Sequence, residues 1–337
     1  MTDNIFNRGR PRAYIADQDL IVAAEVALSL GQPLLLTGEP GTGKTAFAKY
    51  LAEELAPARL HELSLRHDAH LPLPLYCFET KSSSSANDLF YRFDSLRRFH
   101  ANHDAAMSRD NLDYISFEAL GKAIIFSRPW DEVSDLIPRR EDHPGVGRSV
   151  VLIDEIDKAP RDFPNDLLNE IQRMFFRIPE LQKPGTRDVR EIEASTTFRP
   201  IVVITSNSEK NLPSAFLRRC VFHHIRFPER DMTGRLRDIV SANLGQAIGS
   251  LANSAIEFFY DVREQLNLDK PPTSAELVQW IAVLQNRPWP GLNTHPGNAT
   301  LASMPVESLV ATLGVLAKTT DDLRKVQTMA KQLRALN

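Results

Sequence analysis

Cysteine is nearly missing from this chain. Cys77 and Cys220 are the only two among 337 residues, which excludes a disulfide framework and fits a reducing compartment. Each reads as a small buried apolar residue. Long apolar runs are missing as well. Leu20–Leu30 is interrupted by Glu25 and falls well short of the roughly 20 residues that span a bilayer. Charge of one sign is not in excess: 40 Lys and Arg face 43 Asp and Glu, a net charge of −3. That argues against a nucleic-acid binder working through bulk positive charge. Met1 to Arg12 is polar and charged, without the apolar core of a signal peptide. No internal repeat is visible. These absences predict a cytoplasmic protein with no membrane segment. A composition of 42% hydrophobic and 25% charged residues is that of a globular protein, and the length predicts two domains.

Residues 1–13 read as a flexible arm rich in Arg, Asn and Pro. Asp17 reads as the N-cap of a helix that ends at Leu30, with Gly31 as its stop. Leu34-Leu35-Leu36-Thr37 is an all-apolar run, as expected of a strand buried on both faces of a parallel sheet. A glycine-rich turn and a helix from about Gly43 to Ala56 follow. Further strands are expected at Leu75–Thr80, Val150–Ile153, Ile201–Thr205 and Val221–Phe227. Between them, Leu89, Phe90, Phe93, Leu96 and Phe99 predict one helix with an apolar inner face. Phe117–Phe126 and Asp162–Phe176 read as helices, 127–148 as loop and 177–199 as a β-hairpin. Strands alternating with helices predict an α/β fold with a mostly parallel sheet. Beyond Pro228 the pattern turns helical, at about 231–243, 251–267, 274–285 and 305–334, which predicts a second, all-α domain.

Two stretches carry chemistry. Gly38-Glu39-Pro40-Gly41-Thr42-Gly43-Lys44-Thr45 matches G-x-x-x-x-G-K-[ST] at every position. Glycines let backbone N–H groups converge on phosphate oxygens, and the helix that follows adds its dipole. Lys44 is placed to reach the β- and γ-phosphates of a nucleotide, and the Thr45 hydroxyl to bind Mg²⁺, which takes oxygen ligands. Val150-Val151-Leu152-Ile153-Asp154-Glu155 is the second stretch. An apolar strand delivers two carboxylates to its carboxyl end, where α/β sheets bind ligands. Asp154 is expected to hold the magnesium shell, and Glu155 to act as general base toward water.

The chain resembles the AAA+ ATPases and, more closely, the MoxR family. The resemblance rests on Gly38–Thr45, then Val150–Pro160, then Ile201–Asn207, then Leu212–Cys220, in that order. Asp157 and Lys158 depart mildly from the family's Asp-Glu-Ile-Asn-Arg-Ala-Pro. It implies a P-loop NTPase sheet flanked by helices over 14–228, a β-hairpin insert at about 177–199, and a helical lid over 229–337. It implies Mg²⁺-dependent hydrolysis of ATP to ADP by a ring, usually a hexamer, coupled to remodelling or chaperone-like activation of a protein partner. That partner is expected to carry a von Willebrand factor A domain. Asn207 resembles the sensor that positions the lytic water, and Arg219, with Arg218 beside it, the finger offered to a neighbouring subunit. Tyr14 and Ile15 are placed to line the adenine pocket. Where relatives carry an arginine at the start of a lid helix, this chain has Ala275; Lys270, before Pro271 and Pro272, is the nearest cation to take that role. Two other readings stand beside the remodelling motor: a nucleotide-controlled assembly switch in a signalling or defence system, and a nucleic-acid motor.

Other clusters read as ordinary surface. His67 and His70, and His100 and His103, have helical spacing but no cysteine to complete a zinc site. Arg92, Arg97 and Arg98 read as a solvated helix face, and Ser82–Ser85 as a flexible loop.

Overall fold

The structure, a computed structural model, describes residues 14–57, 71–101, 110–182, 189–209, 212–230, 234–245, 248–286, 289 and 299–332. Residues 1–13, residues 183–188 of the expected hairpin insert, and His67, His70 and His103 lie outside the described residues. The chain forms two compact units. One holds residues 16–39 and 43–225; the other holds 40–42 and the residues from 226 on, together with Tyr14 and Ile15.

The strands of the first unit are β1 (Leu34–Thr37), β2 (Leu75–Glu79), β3 (Tyr91–Phe93), β4 (Ile115–Phe117), β5 (Val150–Asp154), β6 (Phe175–Ile178), β7 (Arg190–Glu193), β8 (Ile201–Ser206) and β9 (Val221–His224). Five of them form a parallel sheet in the order β2-β5-β8-β1-β9. The three inner strands are the apolar runs of the sequence. β1 and β8 are buried throughout, and β5 is buried up to Asp154. Strands covered on both faces have no solvent side on which to place polar residues. The edge strands β2 and β9 are only partly covered and correspondingly mixed. Register brings the strand ends level: Thr37 lies opposite Ser206 and His224, and Glu79 opposite Asp154. The turns after β1, β5 and β8 therefore leave the sheet on one edge.

Two small antiparallel pairs, β3 with β4 and β6 with β7, sit beside the sheet. The second is the expected hairpin, beginning two residues earlier than the sequence reading. Phe90 stacks on Phe176 with ring centroids 5.3 Å apart. The helix Ala119–Ile125 lies so close to this region that a Cβ on Gly121 would sit 1.9 Å from the Phe90 carbonyl oxygen.

Several expected elements differ. The single helix around 89–99 is instead a 3₁₀ turn (Ala86–Leu89), β3, and a short helix (Ser95–Ala101). Leu96 and Phe99, read as inward, are 73% and 61% exposed. β3 pairs with β4 across a long connection, and a local period cannot register such pairing. Phe117 ends β4 instead of opening a helix. Residues 162–176 hold two short helices, Phe163–Asp166 and Leu168–Arg173, before β6, and 127–148 contain helical turns at Trp130–Val133 and Arg140–Asp142. Cys77 is exposed, because it lies on an edge strand.

The second unit contains the helices Arg235–Leu244, Ser250–Gln265, Ser274–Asn286, Val306–Val310 and Thr320–Gln332. The last two replace one expected long helix. Trp280, Phe258, Ile281 and Leu313 lie in its core, where the Trp280 indole N–H donates to the Thr312 hydroxyl at 2.8 Å. Thr273 and Glu276 form a reciprocal cap at the start of Ser274–Asn286, the arrangement that satisfies two otherwise unpaired helix N–H groups. Asp322 is fully buried and accepts from the N–H groups of Asp269 and Lys270 at 3.0 and 3.1 Å.

Candidate functional site

The turn after β1 runs from Gly38 to Gly43. Gly41 has φ 75° and Gly43 has φ 91°, left-handed values that suit glycine. The helix Lys44–Tyr50 follows and continues in wider turns to Leu55. Lys44 is buried, and its ammonium donates to the carbonyls of Gly38 (2.8 Å) and Glu39 (3.0 Å) and to the Asn207 side-chain oxygen (3.0 Å). Burial lowers the Lys44 pKa from its ordinary value, against the opposing pull of Asp157, Asp154, Glu155 and Glu39.

Thr45, one residue on, donates its hydroxyl to the Asp154 carboxylate at 3.0 and 3.2 Å. Two hard oxygen donors thus stand side by side at the carboxyl end of β5, the donor type that Mg²⁺ takes. Among the described residues no group of three or more His, Cys, Asp and Glu is arranged to hold a metal by itself.

Glu155 leaves β5 with φ 55°, a left-handed conformation uncommon for a residue with a Cβ. Its carboxylate is paired with the Lys158 ammonium. That hydrogen bond raises the Lys158 pKa. Asn207 follows β8, and its backbone N–H donates to Asp157 at 3.1 Å.

The expected residues Lys44, Thr45, Asp154, Glu155 and Asn207 therefore stand around one sheet edge. Arg218 and Arg219 follow the short helix Ser214–Leu217, at the start of β9 and so at the other edge of the sheet. Tyr14 and Ile15 belong to the second unit, where Tyr14 is an electrostatic neighbour of Arg235. Lys270 is exposed in that same unit.

Thr205 was not singled out by sequence reading. Its hydroxyl donates to Asp154 and accepts the Glu155 N–H at 2.8 Å. The available signal was a polar residue directly after the apolar run Ile201–Ile204 of β8. Asp157, through its bond to Asn207, is a second such residue.

The model of the ATPase family associated with various cellular activities (AAA) matches residues 34–229, more than half of the chain. The chain belongs to the AAA ATPase family. It binds ATP and is an ATPase. Its parallel sheet with a P-loop, followed by a helical region, is the AAA+ fold. Among solved structures, a proline-to-glycine variant of RuvB from Thermotoga maritima is similar over 95% of this chain and 72% of that one, with 14% identity and a TM-score of 0.44. A threonine-to-valine variant of the same protein covers 93% and 69%, with 13% identity and a TM-score of 0.41. No curated protein matches the sequence. Among its described residues, this AAA ATPase has no helix long and apolar enough to cross a membrane.

Proposed function

We propose that this AAA ATPase is a MoxR-like motor that couples Mg²⁺-dependent ATP hydrolysis to remodelling of a protein partner. The observation that carries the catalytic part is the convergence on one sheet edge of Lys44, the bonded pair Thr45 and Asp154, and Asn207. In this reading the loop Gly38–Thr45 cradles the phosphates, and Lys44 reaches the β- and γ-phosphates. Thr45 and Asp154 hold Mg²⁺, which neutralises charge on the phosphate oxygens when bound. Glu155 takes a proton from the attacking water as the bond from that water to the γ-phosphorus forms and the bond to the ADP oxygen breaks. Asn207 orients the water. Arg219, with Arg218, acts on the nucleotide of a neighbouring subunit in a ring, a hexamer in this reading. Such fingers contribute about 10³–10⁵ in rate elsewhere.

The motif order supports a division into a nucleotide-binding domain over 14–228 and a lid over 229–337, with Tyr14 and Ile15 toward the adenine and Lys270 as the lid's cation. The resemblance to the MoxR family supports a partner of the von Willebrand factor A type that supplies the substrate contact, in the cytoplasm. The β6–β7 hairpin carries no phosphate-binding signal and is assigned to partner contact.

The test compares Lys44→Ala with Glu155→Gln in nucleotide binding and phosphate release. Lys44→Ala is expected to lose affinity. Glu155→Gln is expected to keep affinity, lose turnover and retain partners in a pull-down. A Glu155→Gln protein that hydrolyses ATP like the parent removes Glu155 from the role of base.

A further inference from the structure

Arg219 does not hang free in solvent. Its Nε donates to the Gln172 side-chain oxygen at 3.1 Å, and one terminal nitrogen donates to the Ala215 carbonyl at 3.0 Å. Gln172 lies near the end of the helix Leu168–Arg173 and is itself held. Arg199 donates to the Gln172 carbonyl at 2.7 Å and to the Gly31 carbonyl at 3.2 Å. Arg219, Gln172, Arg199 and Gly31 line a cavity of about 610 Å³ whose apolar wall includes Leu30, Ile171 and Phe216.

A guanidinium carries five N–H donors in one plane. Here two are taken by the chain's own acceptors, one on Nε and one on a terminal nitrogen. Three remain, all on the terminal nitrogens. Holding the plane by two bonds sets the direction in which those three point, and a fork of fixed direction loses less freedom on meeting phosphate oxygens than a free side chain.

We propose that Gln172 is a positioning residue for Arg219. It orients the guanidinium so that its outer donors face the nucleotide of the adjacent subunit, and Arg199 fixes Gln172 in turn. This rests on the reading of Arg219 as a finger acting in trans. The ligand class is the terminal phosphate of a nucleoside triphosphate bound by a second copy of this chain.

The experiment uses the full chain with Gln172→Ala and Gln172→Met. Methionine keeps the length and packing of glutamine but offers no amide oxygen. The bond is charge-assisted but exposed, and its loss corresponds to a fall in kcat of about three- to ten-fold, with unchanged KM for ATP and unchanged particle size. Both variants are expected to show it. If Gln172 only fills space, Gln172→Met turns over like the parent, and the proposal fails. Mixing supplies a second readout. Adding Lys44→Ala protein, which keeps an intact Arg219 and Gln172, to Gln172→Met protein should raise phosphate release per Gln172→Met subunit. A packing defect local to the variant subunit does not respond to mixing, and no rise overturns the proposal. Arg219→Ala separates the two levels. Parental turnover in Arg219→Ala removes the finger reading itself. Loss of turnover in Arg219→Ala beside parental turnover in Gln172→Met removes only the role of Gln172.

Discussion

Lys158 is ion-paired with Glu155, three residues before it on the turn that leaves β5. The side chains are 55% and 40% exposed, so water screens the pair and it contributes little. Pairing with an ammonium makes a carboxylate a weaker base toward water. Lys158→Met is therefore expected to raise basal phosphate release by about 1.5- to 5-fold, the rate equivalent of that pair, with unchanged ATP affinity. Steady-state kinetics with a binding isotherm on the same variant check it; a slower Lys158→Met enzyme contradicts it.

Thr205 ties Asp154 to the Glu155 backbone. Thr205→Val keeps the shape and removes the hydroxyl, leaving the Glu155 N–H without its acceptor. The expected cost is about 1–3 kcal/mol of stability, with lower turnover. Thr205→Ser keeps the hydroxyl and is expected to stay close to the parent. Thermal melts and phosphate release on both variants separate the hydroxyl from the methyl group.

Asp322 carries a pH signature. Burial alone raises a carboxyl pKa, but the Asp269 N–H, the Thr319 hydroxyl, the Lys270 N–H and the Lys325 charge outweigh it and hold this one below its ordinary value. A depressed folded-state pKa contributes stability that is present above the unfolded value, about 3.9 for Asp, and lost as pH falls through the folded value. The second unit is expected to weaken progressively below about pH 4. Asp322→Asn is expected to be less stable at neutral pH and flatter in its acid response, measured by melting temperature against pH.

Gly121→Ala pushes a methyl group against the Phe90 carbonyl, at 1.9 Å before any relaxation. Backbone contacts yield little, so a loss of about 1–3 kcal/mol is expected, read as a lowered denaturation midpoint. An unchanged midpoint places the backbone of Phe90 further from this helix.

Lys270→Ala tests the lid. An exposed lysine acting on a phosphate as a point charge contributes about 1.5- to 5-fold in affinity, more at low salt. ATP affinity is expected to fall in that range while ADP affinity holds. Equal affinity for both nucleotides at every salt concentration leaves Lys270 as a solvated side chain.

The central sheet was legible because β1, β5 and β8 are buried on both faces, and burial writes an unbroken apolar run into sequence. The phosphate loop was legible because its backbone needs glycine at fixed places. The region from Ala86 to Phe117 was not. Leu89, Phe90 and Phe93 fit a helical period as well as they fit a turn followed by β3, and the pairing that decides the matter lies on β4. The break after Val310 escaped for a similar reason: 305–334 reads as continuous helix until Thr319 begins a new start, bonding the Asp322 N–H. At the site, spacing named Lys44, Thr45, Asp154 and Glu155, while the bonds of Thr205 to Asp154 and of Gln172 to Arg219 emerge only from contacts.

The Lys44 ammonium has three N–H groups and three acceptors already in place. A phosphate oxygen cannot simply be added to it; one acceptor must give way. Two are main-chain carbonyls of the turn, and the third is an amide that can swing on its own bonds. In the proposed reading of Lys44, the incoming nucleotide trades places with the Asn207 side chain, so occupancy of the turn after β1 is reported at the end of β8 by a vacated bond. On that reading, affinity at this locus is the difference between two partners of one cation, and a substitution that removes the Asn207 side-chain oxygen is expected to shift nucleotide binding without touching the phosphate.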